Sequence, residues 1–196
     1  MRIADMPWTE GNVVAFGATL VAWIALGVVL LLSRRKGEGG GKSNPLSMIG
    51  IALQGIGIAA AWFGPITFSL AVSEQIFVAA APAAVIAFLS VALMGWAIAI
   101  MGANWAVVAQ VRNEHQLVQS GPFALMRNPI YVALCGMMIA TALAVGHAVN
   151  LIVAVPLYLI GTLVRVGIEE KLLRATFGQA YDDYARRVKR FIPGIW

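Results

Sequence analysis

Cysteine is nearly absent. The 196-residue chain has one, Cys135, so an internal disulfide cannot form and a zinc site built on thiolates is excluded. Histidine is almost as scarce: His115 and His147 are the only two. Charge is thin. Asp, Glu, Lys and Arg together make 12% of the residues, roughly half the share of about 25% usual in soluble domains. No Gly-x-Gly-x-x-Gly follows a strand-like run, so a Rossmann-type dinucleotide fold has no support. The nearest approach to a phosphate loop, Gly37 to Ser43, is one residue short in its spacing and follows a long apolar run where a strand is needed. It is expected to be a flexible linker. What is plentiful is apolar surface, at 60% of residues. A soluble chain of this size could not cover it. A disordered chain, a secreted disulfide scaffold and an ordinary cytosolic enzyme are all excluded, leaving an integral membrane protein.

A helical span needs about 20 mostly apolar residues. Val13–Leu32 provides 20 without a charge, followed by Arg34-Arg35-Lys36. Basic residues after the apolar core are the reverse of a signal peptide's order, so a retained first helix is expected. Leu46–Val72 is the second run, with Gly64-Pro65 expected to kink it or end it early. Ile76–Met101 is the third, with Pro82 near its start. Ile130–Val145 and Leu151–Val164 follow, separated by a short polar turn around Gly146, His147 and Asn150. The sequence therefore predicts an all-α integral membrane protein with five transmembrane helices. The last two form a helical hairpin, and a cytosolic C-terminal helical tail follows. In the tail, Ile168, Leu172, Leu173 and Phe177 recur at helical spacing, Gly178 reads as a helix stop, and Tyr181, Tyr184, Ala185 and Val188 restart the period.

Charge placement gives the orientation. With five spans, 13 of the 14 Lys and Arg fall on one side and only Arg2 on the other. The positive-inside rule puts that side in the cytosol and the N-terminus outside, in a cytoplasmic or inner membrane. The net charge of +5 is thus an orientation signal, and no nucleic-acid partner is expected. Residues 1–102 form a three-span N-terminal membrane part. Residues 103–196 hold a polar connector, the hairpin and the tail, in one structural domain overall. The connector, 103–129, is too polar to span and too long for a simple turn; such segments are usually functional. It shares the cytosolic face with the tail, so the two can build one site. His115 and His147 fall on opposite sides of the membrane, and no metal site is expected.

Three blocks in these regions stand out. The first is His115-Gln116-Leu117-Val118-Gln119-Ser120-Gly121-Pro122-Phe123. The second is Arg127-Asn128-Pro129-Ile130-Tyr131, where Pro in a first helical turn and Tyr at an interface each have ordinary structural explanations. The third is Arg165 with Glu169-Glu170, then Phe177-Gly178 and Tyr181 to Tyr184. Arg165 and Glu169 lie one turn apart, and an exposed pair of that kind is worth only a few tenths of a kcal/mol. The second carboxylate beside it suits a cationic ligand better than a simple anchor.

In order and spacing, the three blocks resemble the isoprenylcysteine carboxyl methyltransferase family and related membrane phospholipid and small-molecule methyltransferases, over roughly residues 100–193. The resemblance implies an S-adenosylmethionine-dependent methyltransferase acting on a lipophilic small molecule or lipid, with membrane lipids around it. It implies cofactor contacts from His115, Leu117, Val118, Gly121, Arg127, Asn128, Tyr131, Glu169 and Glu170. It also implies that Arg165 orients the acceptor while Glu169 holds Arg165 in place. Asn128 stands where the family often has His, and unlike imidazole it cannot become charged. Phe123 stands where Tyr is frequent. Two other classes compete: a membrane reductase of the sterol-reductase-like group, recognisable by NADPH binding, and a non-enzymatic small membrane protein. Transport is disfavoured, because the spans hold almost no ionisable groups and no repeat is visible.

Overall fold

The computed structural model describes residues 10–33, 45–63, 73–102 and 117–195. His115, the 37–43 linker, the Gly64-Pro65 break and the first half of the connector lie outside the described residues. Among the described residues, six α-helices follow one another: α1 (Glu10–Ser33), α2 (Pro45–Phe63), α3 (Ser73–Met101), α4 (Pro129–Ala144), α5 (Leu151–Phe177) and α6 (Gln179–Arg187). Single turns of tighter helix at Gly121–Ala124 and Ala148–Asn150 precede α4 and α5. No strand occurs among the described residues.

Among the described residues, four stretches are long and apolar enough to cross a membrane: Val13–Ser33, Leu46–Phe63, Ala81–Met101 and Ala148–Phe177. The protein is an integral membrane protein. Apolar side chains such as Val14, Val21, Leu32, Phe63, Leu89 and Ile152 point outward, as on helices that are apolar all round and meet lipid. The helix expected as the fourth span, α4, is apolar but has only 16 residues. At about 1.5 Å per residue it is shorter than a hydrocarbon core.

The fifth apolar run and the first tail helix are a single 27-residue helix, α5. Nothing between Val164 and Phe177 stops it: Gly167 sits within it unhindered, and the Arg165–Glu169 pair spans one of its turns. The helix ends at Gly178, the expected stop, whose φ of +52° suits glycine and whose N–H reaches the Arg174 carbonyl.

Packing is closest where small residues face one another. A Cβ on Gly161 would come within 2.6 Å of the Gly50 carbonyl oxygen and 2.9 Å of the Gln54 nitrogen; a Cβ on Gly57 would meet the Ala154 carbonyl oxygen at 2.9 Å. Backbones of α2 and α5 therefore run against each other in opposite directions, as small residues allow in lipid. On the other side, Ala22, Leu26, Met94, Met137 and Ala140 join α1, α3 and α4. Trp23 Nε1 donates to Thr141 Oγ1 at 2.9 Å across the same seam.

The chain after α5 folds back over the start of α4. Tyr181 and Tyr184 are buried, and the Tyr184 hydroxyl donates to the Phe123 carbonyl at 2.7 Å. Phe191 packs with Tyr131 and Val166. The Arg127 and Asn128 amides donate to the carbonyls of Lys189 and Arg190 at 2.8 and 3.0 Å. These bonds bring the connector, the first turn of α4, the end of α5 and the tail to one end of the bundle.

Candidate active site

Two polar clusters meet at that end. The first lies between α2, α4 and α5. Tyr131, in the first turn of α4, donates its hydroxyl to Glu169 Oε1 at 2.5 Å. Arg165 Nη2 lies 3.6 Å from the same oxygen, one turn along α5. The Arg165 guanidinium also lies over the Tyr131 ring, 5.3 Å from its centre, and Nη1 donates to Gln54 Oε1 at 3.4 Å. Gln54 Nε2 in turn donates to Thr162 Oγ1 at 2.8 Å. The Tyr131 carbonyl accepts from the Tyr158 hydroxyl at 2.9 Å, fixing the start of α4 against α5. Arg165 is 11% exposed and Glu169 26%, so the carboxylate retains an accessible face.

The second cluster surrounds Glu170. Adjacent helix residues point about 100° apart, so Glu170 turns toward the tail while Glu169 turns toward the bundle. Arg190 grips the Glu170 carboxylate with two bonds, 2.9 and 2.8 Å. Arg127 Nη1 reaches it at 3.0 Å and Arg174 at 3.7 Å. Arg127 also donates to the Tyr181 hydroxyl at 3.1 Å, and both Arg127 and Arg174 lie over the Tyr181 ring. The hydrogen bond to Glu170 raises the Arg190 pKa above its ordinary value. Burial, with Glu170 nearby, raises that of the Tyr181 phenol.

The structure brings most of the expected site residues to this end. Arg127 meets Glu170, and Tyr131 meets both Glu169 and Arg165. Asn128 sits at the start of α4 without capping it; its side-chain amide donates to the Arg190 carbonyl at 3.2 Å. Gly121 has φ +59°, and a Cβ there would come within 2.8 Å of the Ile100 side chain and 3.2 Å of Trp96 Nε1. Glycine therefore lets the connector press against the end of α3. Leu117 and Val118 are half-buried in the irregular stretch before that turn. Among the described residues, neither joins the apolar clusters between α4 and α5.

Sequence reasoning missed Gln54, Thr162, Arg174 and Arg190 as parts of these clusters. Gln54 could have been flagged as an amide in the middle of an apolar run, since polar groups in membrane helices are costly to place. Arg190 gave no local signal; it resembles any other basic residue of the tail.

The phospholipid methyltransferase profile matches residues 75–180, more than half of the 196-residue chain. The chain belongs to the phospholipid methyltransferase family. The match includes every residue of both clusters except Gln54, Tyr181 and Arg190. Two curated relatives of this family member are bacterial. Cobalt-zinc-cadmium resistance protein CzcN of Cupriavidus metallidurans is 32% identical over 109 residues, which make 55% of this chain and 50% of that protein. Nickel-cobalt-cadmium resistance protein NccN of Alcaligenes xylosoxydans xylosoxydans is 32% identical over 111 residues, 56% of this chain and 51% of that protein. The chain spans about half the length of the curated relatives it matches. Among solved structures, the eukaryotic intramembrane Ras methyltransferase, an isoprenylcysteine carboxyl methyltransferase, is similar with a TM-score of 0.60 at 21% identity; the alignment covers 96% of this chain and 70% of that one. At that identity the likeness is one of fold.

Proposed function

We propose that this phospholipid methyltransferase family member transfers a methyl group from S-adenosylmethionine to a lipophilic acceptor at the cytosolic end of the bundle. The proposed topology has five crossings, with α4 as the short fourth, the N-terminus outside and the C-terminus in the cytosol. This orientation places both clusters at the inner leaflet.

The donor set fits the cofactor. S-adenosylmethionine, when bound, supplies a methyl group on a positively charged sulfur, beside an ammonium and a carboxylate. Glu169 keeps an accessible carboxylate face for a cationic group. Among the described residues, Arg127, Arg174 and Arg190 face two carboxylates, Glu170 and Asp182, which leaves one guanidinium charge to balance there. An incoming carboxylate would do so. Three guanidiniums already hold Glu170, so its role in the cofactor site is to keep them converged. Tyr131, Leu117 and Val118 would wall the adenine end, backbone N–H groups around Gly121 would join Arg127 at the carboxylate, and Asn128 and His115 would supply orienting hydrogen bonds.

Arg165 orients the acceptor, its guanidinium held beside Glu169 and Gln54. Glu169 holds Arg165 and accepts the Tyr131 proton donor, which keeps the pair from turning toward lipid. Buried walls on α2, α4 and α5 exclude water. For methyl transfer, the protein's contribution is then mainly alignment and dehydration. A carboxylate or thiolate acceptor needs no base; an amine must arrive unprotonated.

The observation that best supports this reading is the Tyr131–Glu169–Arg165 contact set one helix face away from the arginine-rich Glu170 cluster. The test uses purified full-length protein in detergent with radiolabelled S-adenosylmethionine. Saturable binding, weakened by Glu169→Gln, is expected. Label should then pass to a component of a membrane lipid extract that gains the mass of one methylene. Absence of saturable binding, or tight binding of NADPH instead, refutes the proposal.

A further inference from the structure

Gln54 lies on the strip of α2 that touches α5, one turn after Gly50 and three residues before Gly57. The backbones approach so closely there that the Gln54 side chain, 5% exposed, runs along α5. Its amide meets two α5 residues on one helix face: Nε2 donates to Thr162 Oγ1 at 2.8 Å, and Oε1 accepts from Arg165 Nη1 at 3.4 Å. The amide can face only one way. A guanidinium has donors and no acceptor, so the oxygen must point to Arg165, and the NH₂ is left to the threonine.

A leucine would fill this position without the cost of placing an amide among apolar helices. Cohesion of α2 with α5 does not need the amide either, because Gly50, Gly57 and Gly161 already bring the backbones together. The amide instead adds a third direction to the hold on Arg165. Glu169 restrains the guanidinium along α5, and the Tyr131 ring restrains it from α4. Gln54 restrains it from α2.

We propose, resting on the methyl-transfer function above, that Gln54 is a positioning residue. It fixes the Arg165 guanidinium so that Arg165 presents a single orientation to the acceptor, and Thr162 locks the amide that does so. The role is specific to the acceptor side of the reaction. Cofactor affinity is set by other groups and should not depend on it.

The test uses purified full-length protein, radiolabelled S-adenosylmethionine and three acceptor probes: phosphatidylethanolamine vesicles, S-farnesylcysteine and dodecanethiol. Kinetics are measured on whichever probe the wild type methylates fastest. Gln54→Leu is expected to lower kcat/KM for that acceptor about ten- to a hundredfold, the scale of a small misplacement of a positioning group. Cofactor affinity should stay within about twofold of wild type. Thr162→Val should act in the same direction, more weakly. Gln54→Glu keeps an oxygen toward Arg165 and should restore most of the rate. In an Arg165→Lys background, Gln54→Leu should add little, since both changes disable one unit.

Wild-type kinetics in folded Gln54→Leu overturn the positioning role, as do losses that multiply with those of Arg165→Lys or a parallel fall in cofactor affinity. If Gln54→Leu does not fold, Thr162→Val is judged by the same criteria. A wild type that methylates none of the three probes refutes the methyltransferase proposal itself. An active wild type with an indifferent Gln54→Leu refutes only the role of Gln54.

Discussion

Glu170→Gln should release the tail while leaving the membrane helices folded. The Glu170 carboxylate is 4% exposed and faces three guanidiniums of unequal burial. Arg174 and Arg190 are 46% and 38% exposed, so solvent replaces much of what they lose and each contributes little. Arg127 is 11% exposed. Removing its counter-charge leaves a buried cation poorly compensated, which costs about 3–5 kcal/mol in comparable pairs. The low end is the better expectation here, because Arg127 retains the Tyr181 hydroxyl and ring. About 3 kcal/mol corresponds to a rise of roughly a hundredfold in the population of tail-open molecules. Hydrogen exchange in detergent micelles reads this directly. Amides 179–191 should exchange roughly a hundredfold faster in Glu170→Gln, with those of α2 and α3 unchanged. An Arg127→Met change added to Glu170→Gln should recover part of the protection, because it removes the stranded charge. Tail exchange within about threefold of wild type in Glu170→Gln would refute the view that this carboxylate clasps the tail.

Further outcomes follow from the packing and from the tail's phenols. Gly161→Val places a side chain against the Gly50 and Gln54 backbones, which cannot yield; thermal unfolding in detergent should show a loss of about 1–3 kcal/mol. Gly167→Ala meets nothing within 4 Å and should stabilise α5 by about 0.5–1 kcal/mol in the same assay. Tyr158→Phe removes the hydroxyl that the Tyr131 carbonyl accepts and should cost about 1 kcal/mol. Burial raises the Tyr184 pKa above its ordinary value, and the hydroxyl must keep its proton to bond Phe123. The resulting stabilisation is complete below the unfolded phenol's pKa of about 10 and is lost as pH rises above it. Protease resistance of the tail should therefore fall above about pH 10, and Tyr184→Phe should flatten that fall.

Much of the membrane architecture was legible because it rests on local properties. Long uncharged runs mark helices that satisfy their own backbone in lipid, and α1 and the later part of α3 lie where those runs lie. Gly178 announced the end of α5 because a positive φ is a residue-level demand. The fifth run and the first tail helix join in one helix: the fall in hydropathy after Val164 marks a change of surroundings, and a helix can cross such a change without a break.

The sequence alone determined that this chain belongs in a membrane and where its long apolar runs lie, since hydropathy and residue type act within a few turns of backbone. Only the tertiary structure decided how the blocks divide. Glu169 and Glu170 are neighbours in the chain, yet helical rotation sends one to Tyr131 and Arg165 and the other to Arg127 and Arg190. Gln54 lies 111 residues before Arg165. The two meet because glycines let α2 and α5 touch, and no pattern confined to one segment encodes a contact between two helices.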